Sequence, residues 1–111
     1  MDRSSQLLKG VLDMCLLSLI NEEPSYGYEM AAKLNERGIE LVSDGSIYPT
    51  LSRLQKAGLV EGYFVEAEGS GPPRKYYRTV ESGRVRLKEW TEEWQDLSAG
   101  VSAILNGGDR D

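Results

Sequence analysis

Ser46-Ile47-Tyr48-Pro49-Thr50-Leu51-Ser52-Arg53-Leu54-Gln55-Lys56-Ala57-Gly58 is the stretch that decides how this sequence folds. Ile47, Leu51 and Leu54 recur at four- and three-residue spacing, so on a helix they fall within about 60° of one another and form one apolar face. Pro49, Ser52, Arg53 and Lys56 project from the opposite side, with Ser46 and Tyr48 on the flanks. Ser43-Asp44-Gly45-Ser46 supplies a turn and several N-cap candidates. Pro49 then belongs in the first turn, where its missing N–H costs nothing. Gly58 stops the helix near Ala57 and leaves Leu59 placed to fold back onto Leu54.

Working downstream, residues 59–65 and 74–80 are rich in Val, Tyr and Phe and flank the Gly- and Pro-rich run Gly69-Ser70-Gly71-Pro72-Pro73. This pattern predicts a two-stranded hairpin with a long tip. Alternation places Arg74, Tyr76 and Arg78 on one side of the second strand and Lys75 and Tyr77 on the other. The tip lacks a Gly-Lys-Ser/Thr ending and no helix follows it, so it is not a nucleotide phosphate loop. Upstream, apolar residues from Leu7 to Ile20 predict one helix over about Ser5–Ile20. Ser25 is a candidate N-cap for a second helix through Arg37, with Met30, Ala31 and Leu34 as its stripe and Gly38 as its left-handed stop. Ile39, Leu41 and Val42 read as a short extended segment. Three helices followed by a hairpin describe a winged helix-turn-helix, mainly α with a small antiparallel hairpin, in which the third helix reads DNA and the hairpin is the wing.

A last helix is predicted from about Glu81 to Leu105. Leu87, Trp90, Trp94, Leu97, Val101 and Ile104 follow one another at spacings of 3, 4, 3, 4 and 3, a heptad seam suited to pairing with a second copy. The expected organisation is a winged-helix domain over residues 1–80, a dimerisation helix over 81–106 and a disordered tail over 107–111.

The net charge of −5 argues at first sight against nucleic acid, but its distribution argues the other way. Residues 1–45 carry 4 basic and 8 acidic side chains, residues 46–88 carry 8 and 4, and residues 89–111 carry 1 and 6. The middle is therefore net positive. No acidic residue stands between Ile47 and Val60, as a helix entering a groove requires, because each carboxylate would face phosphate. Arg74 and Lys75, nearest the tip, are placed to reach a phosphate or the minor groove. There is no histidine, and Cys15 is the only cysteine. Zinc ligation and the usual nucleophile–base pairs are thereby disfavoured, and neither an enzyme nor a cofactor is expected. Cys15 lies among Leu12, Leu16 and Leu19 and reads as a core filler. The apolar run from Val11 to Ile20 is interrupted by Asp13 and is too short to span a membrane, so a cytoplasmic location is expected.

Several blocks together resemble the PadR-type regulators: residues 7–20, Tyr26-Gly27-Tyr28-Glu29, Gly45-Ser46-Ile47-Tyr48-Pro49-Thr50-Leu51-Ser52-Arg53-Leu54, Lys56-Ala57-Gly58-Leu59-Val60 and Arg74-Lys75-Tyr76-Tyr77-Arg78-Thr79. The resemblance implies dimeric, sequence-specific repression from a pseudo-palindromic double-stranded operator, often relieved by a small molecule. DNA contacts would come from Ser46, Tyr48, Ser52, Arg53, Lys56, Arg74 and Lys75. Trp94 falls where some short relatives stack a flat aromatic effector at the dimer interface, with Trp90 one turn before. The place of both tryptophans in the heptad supports dimer packing instead, alongside Leu97, Val101 and Ile104; neither role excludes the other. The same fold could serve as a protein-interaction module or as a ligand sensor without DNA affinity; binding to DNA at low salt discriminates these from a regulator.

Overall fold

The apolar stripe between Leu7 and Ile20 is continuous in sequence but not in structure. In the computed structural model, which describes residues 3–40 and 44–107, it divides into α1 (Arg3–Lys9) and α2 (Leu12–Glu22). Gly10 is the cause. Glycine in a helix interior is less stable than alanine by roughly 1 kcal/mol. Here the Gly10 and Val11 amides turn back to the Leu7 and Leu8 carbonyls, three residues away instead of four. The helix restarts where the Cys15 N–H donates to the Val11 carbonyl at 3.1 Å. The one helix expected from Ser5 to Ile20 is therefore two, and they differ in burial. Leu12, Leu16, Leu17, Leu19 and Ile20 lie in the core, whereas α1 has no fully buried residue.

Ser25, expected to cap the next helix, instead opens a short strand, β1 (Ser25–Tyr26). Tyr26 becomes the N-cap of α3 (Gly27–Glu36), and its N–H donates to the Glu29 carboxylate at 3.1 Å. Two ion pairs hold α3 to the end of α2: Lys33 with Glu23 at 2.9 Å and Arg37 with Glu22 at 2.6 Å. The hydrogen bonds from Arg37 hold the Glu22 carboxyl below its ordinary range. Gly38, at φ 97°, lets the Ile39 N–H reach the Leu34 carbonyl at 2.9 Å, the left-handed stop expected there. Of the expected extended segment at Ile39, Leu41 and Val42, the last two positions lie outside the described residues.

Helix α4 (Asp44–Lys56) packs Ile47, Leu51 and Leu54 into the core, each contributing about 1.5–3 kcal/mol by burial. It begins earlier than its proline suggests. Pro49 sits in the second turn, not the first, so the bond it would have made to the Gly45 carbonyl is missing. Gly58, at φ 77°, ends the helix as expected, with the Leu59 N–H donating to the Leu54 carbonyl at 3.0 Å. Strands β2 (Val60–Val65) and β3 (Arg74–Thr79) pair antiparallel from Val60↔Thr79 to Val65↔Arg74. On its other edge β3 pairs with β1, Ser25 opposite Tyr77 and Tyr26 opposite Tyr76. The expected hairpin is thus a three-stranded sheet of order β1-β3-β2, and the architecture is a winged helix. Tyr77, on the central strand, belongs to the core. Burial, with the Tyr48 phenol nearby adding to it, pushes the Tyr77 hydroxyl above its ordinary pKa.

Helix α5 (Glu81–Leu105) starts against the turn between α4 and β2. The Val80 N–H donates to the Leu59 carbonyl at 3.2 Å and the Ser82 hydroxyl to the Gly58 carbonyl at 2.6 Å. A Cβ on Gly83 would overlap the Leu59 carbonyl oxygen, so this approach exists only because residue 83 is glycine. Leu87 and Trp90 then pack against the edge of the core. No helix among the described residues is long and apolar enough to cross a membrane.

The same substitution should act with opposite signs at the two ends of α5. Gly83→Ala should lower stability by about 1–3 kcal/mol, because backbone stands where the methyl must go. No described residue lies within 4 Å of where a Cβ on Gly100 would stand, so Gly100→Ala should raise stability by roughly 0.5–1 kcal/mol. Thermal or urea unfolding of the two variants reads both.

Candidate nucleic-acid interface

Because Ile47, Leu51 and Leu54 are buried, the outward face of α4 is determined. Ser46, Tyr48, Pro49, Ser52, Arg53 and Lys56 are all exposed, as the helical wheel predicts. Arg53 is steadied on its own helix. Its guanidinium donates to the Thr50 hydroxyl at 3.0 Å, and that buried hydroxyl donates in turn to the Ser46 carbonyl at 2.8 Å.

The wing follows the predicted alternation, with specific partners. On the outer face the Arg74 guanidinium lies 4.8 Å from the centroid of the Tyr26 ring and donates to the Tyr26 hydroxyl at 3.3 Å. Tyr76 packs between Tyr26 and Tyr63, with centroids 5.2 and 6.1 Å away. Arg78 covers Tyr63 at 4.6 Å and is paired with Glu61. On the inner face Lys75 is half-buried, with its ammonium 5.4 Å from the Tyr77 ring centroid. It lies flat across Gly62: a Cβ built there would meet the Lys75 side chain and, at 3.2 Å, the Gln55 amide oxygen of α4. Lys75 therefore stands where the wing meets α4, and Arg74 stands on the opposite face beside β1. The two residues thus occupy different faces, as the alternation predicts.

Ion pairing separates the cations of this region. Arg78, Arg84 and Arg86 each hold a glutamate. Arg53, Lys56, Arg74 and Lys75 make no ion pair among the described residues, which leaves their charge available to phosphate. Sequence reasoning missed Tyr26 and Gln55.

The candidate dimer and ligand residues divide. Trp90 packs on the core's edge. Trp94 borders a hollow of about 400 Å³ lined by α2, α3 and α5, including Met14, Cys15, Leu34 and Leu87. It also borders an adjoining one of about 540 Å³ reaching Leu7 and Leu8 of α1. Cys15 lines the first hollow and is only half-buried; burial, reinforced by Asp13, raises its thiol pKa. Leu97, Val101 and Ile104 are exposed.

A winged helix with cations unpaired among the described residues on α4 and on its wing has the form of a DNA-binding regulator. The chain belongs to the transcriptional regulator PadR-like family, whose profile matches residues 16–89. A crystal structure of a PadR-like transcriptional regulator from Bacillus cereus is 46% identical, covering 90% of this chain and 96% of its own, with a TM-score of 0.78. A PadR-like transcription factor from Bacteroides fragilis is 37% identical over 90% of this chain and 95% of its own, at 0.75. A PadR-family regulator from Eggerthella lenta is 36% identical over 90% and 86%, at 0.80.

Arg74→Ala and Lys75→Ala should each weaken DNA binding almost uniformly across sequences and reduce the slope of log K against log salt by about 0.9. Arg53→Ala should instead change sequence preference, at about 1–3 kcal/mol against the preferred site. Titrations of two unrelated duplexes across a salt series separate these outcomes.

Proposed function

We propose that this regulator is a dimeric, sequence-specific repressor whose hold on a pseudo-palindromic operator is relieved by a flat aromatic small molecule. The observation that carries the reading is the second half of the α5 seam. Trp94, Leu97, Val101 and Ile104 are 45%, 63%, 45% and 78% exposed. They continue in register from Leu87 and Trp90, which the protein packs against itself. An apolar heptad face left in water favours a partner with the same face, and a second copy of the chain supplies it.

In this reading residues 1–80 hold DNA and residues 81–106 set the distance between two copies. Ser46, Tyr48, Ser52, Arg53 and Lys56 meet one major groove, while Arg74 and Lys75 meet its phosphates or the adjoining minor groove. The partner's α4 enters the next groove, roughly 34–36 Å away. Trp94 then has two uses, packing across the two-fold axis and offering a ring face to a planar effector in the adjoining hollow. An effector that binds better when the two α4 helices stand at another separation lowers operator affinity by that difference in binding.

Leu97→Glu combined with Ile104→Glu should convert the dimer to a folded monomer and lower operator affinity about a hundredfold, while each winged helix keeps its weak affinity for any duplex. Sedimentation with DNA titration reads both. A monomeric wild-type protein, or a charged variant that still dimerises, would contradict the seam. Quenching of tryptophan emission by a planar aromatic dye should be lost in Trp94→Leu and kept in Trp90→Leu; the reverse would move the platform.

A further inference from the structure

Gly27 opens α3 and is buried, and the Tyr48 ring of α4 lies across it. A Cβ built on Gly27 would stand 2.6 Å from Tyr48 Cε1, 2.8 Å from Cζ and 3.0 Å from the hydroxyl oxygen. The tyrosine thus occupies the space that any side chain at position 27 would need. Backbone conformation does not account for this glycine. It is not one of the positive-φ glycines, and within a helix alanine is the better residue. Tyr48 nevertheless keeps 49% of its surface exposed. One edge of the ring is seated on the start of α3 and the rest is presented on the outer face of α4.

We propose that Gly27 is a positioning residue for sequence recognition, in which the missing side chain seats Tyr48 and so fixes where its exposed edge meets the DNA. This rests on the reading of α4 as the recognition helix. A methyl at 27 meets the far end of a rotatable side chain, not backbone, so the fold accommodates it while the ring is driven to another rotamer. The phenol then leaves the place from which it contacts the operator. Tyr26, the preceding residue, carries Arg74, so the junction of β1 and α3 supports a group on each half of the interface.

The test is a double-mutant cycle with wild type, Gly27→Ala, Tyr48→Ala and the double variant. Each is titrated with an operator duplex selected from the host genome and with an unrelated duplex of equal length at low salt, and each is melted. Gly27→Ala should bind the operator about tenfold more weakly, bind the unrelated duplex as wild type does, and melt close to wild type. Tyr48→Ala should lose at least as much, and the double variant no more than Tyr48→Ala alone. The proposal is overturned by a Gly27→Ala loss that recurs in full in the Tyr48→Ala background, by an equal loss on both duplexes, or by no loss. A melting temperature lowered equally in both backgrounds would make Gly27 a packing residue and overturn it too. Wild-type operator binding by Tyr48→Ala is a separate failure, which removes Tyr48 from the recognition surface and Gly27 with it.

Discussion

A helix that must bury Ile47, Leu51 and Leu54 has no choice about which face it shows to solvent, and the remainder of the interface depends on that constraint. All three side chains are in the core. Turning α4 to hide Arg53 or Lys56 would expose them and bring unpaired charge inward, each step opposed by kilocalories. The sheet is aligned by the same packing. Tyr77 sits in the core at the middle of β3, flanked by β1 and β2, and the strand that holds Tyr77 inward also carries Arg74 outward by alternation. The positions of cations on helix and wing therefore follow from where apolar groups are buried.

Helix α5 divides its labour along its length. Its first turns are fixed to the winged helix by the fit of Gly83 under the Leu59 carbonyl and by the packing of Leu87 and Trp90. Its later turns carry the same apolar spacing, and no described residue of their own chain covers it. Trp94 stands at the change, bordering the open hollows lined by residues of α1, α2, α3 and α5. Helix α3 touches both regions, since Leu34 near its end lines the first hollow and Gly27 at its start meets Tyr48.

Much of this was legible in the sequence, and the exceptions have physical reasons. The stripe of α4, the glycine stops at 38 and 58, the wing and the long last helix all carry strong local signals, in periodicity or in turn chemistry. The break at Gly10 was hidden because the apolar spacing runs straight through it. Strand β1 was missed because two residues cannot show an alternation, and its pairing with β3 joins positions far apart in the chain. Pro49 misled by one turn because a proline lowers the prior for a helix beginning before it, while burial of Ile47 just ahead of it outweighed the lost hydrogen bond. The heptad treated Trp90 and Trp94 alike, although only tertiary packing decides which one faces the protein's own core. Arg74 was identified by its charge, but its seat on Tyr26 was invisible across a sequence separation of 48.

In the proposed mode of operator binding, two α4 helices enter DNA together. Hydroxyl-radical footprinting of the protein on an operator selected from the host genome tests this most directly. The expected result is two protected patches on one face of the duplex, their centres about 10 base pairs or a whole number of turns apart. A single patch, or protection spread evenly along the duplex, would contradict it.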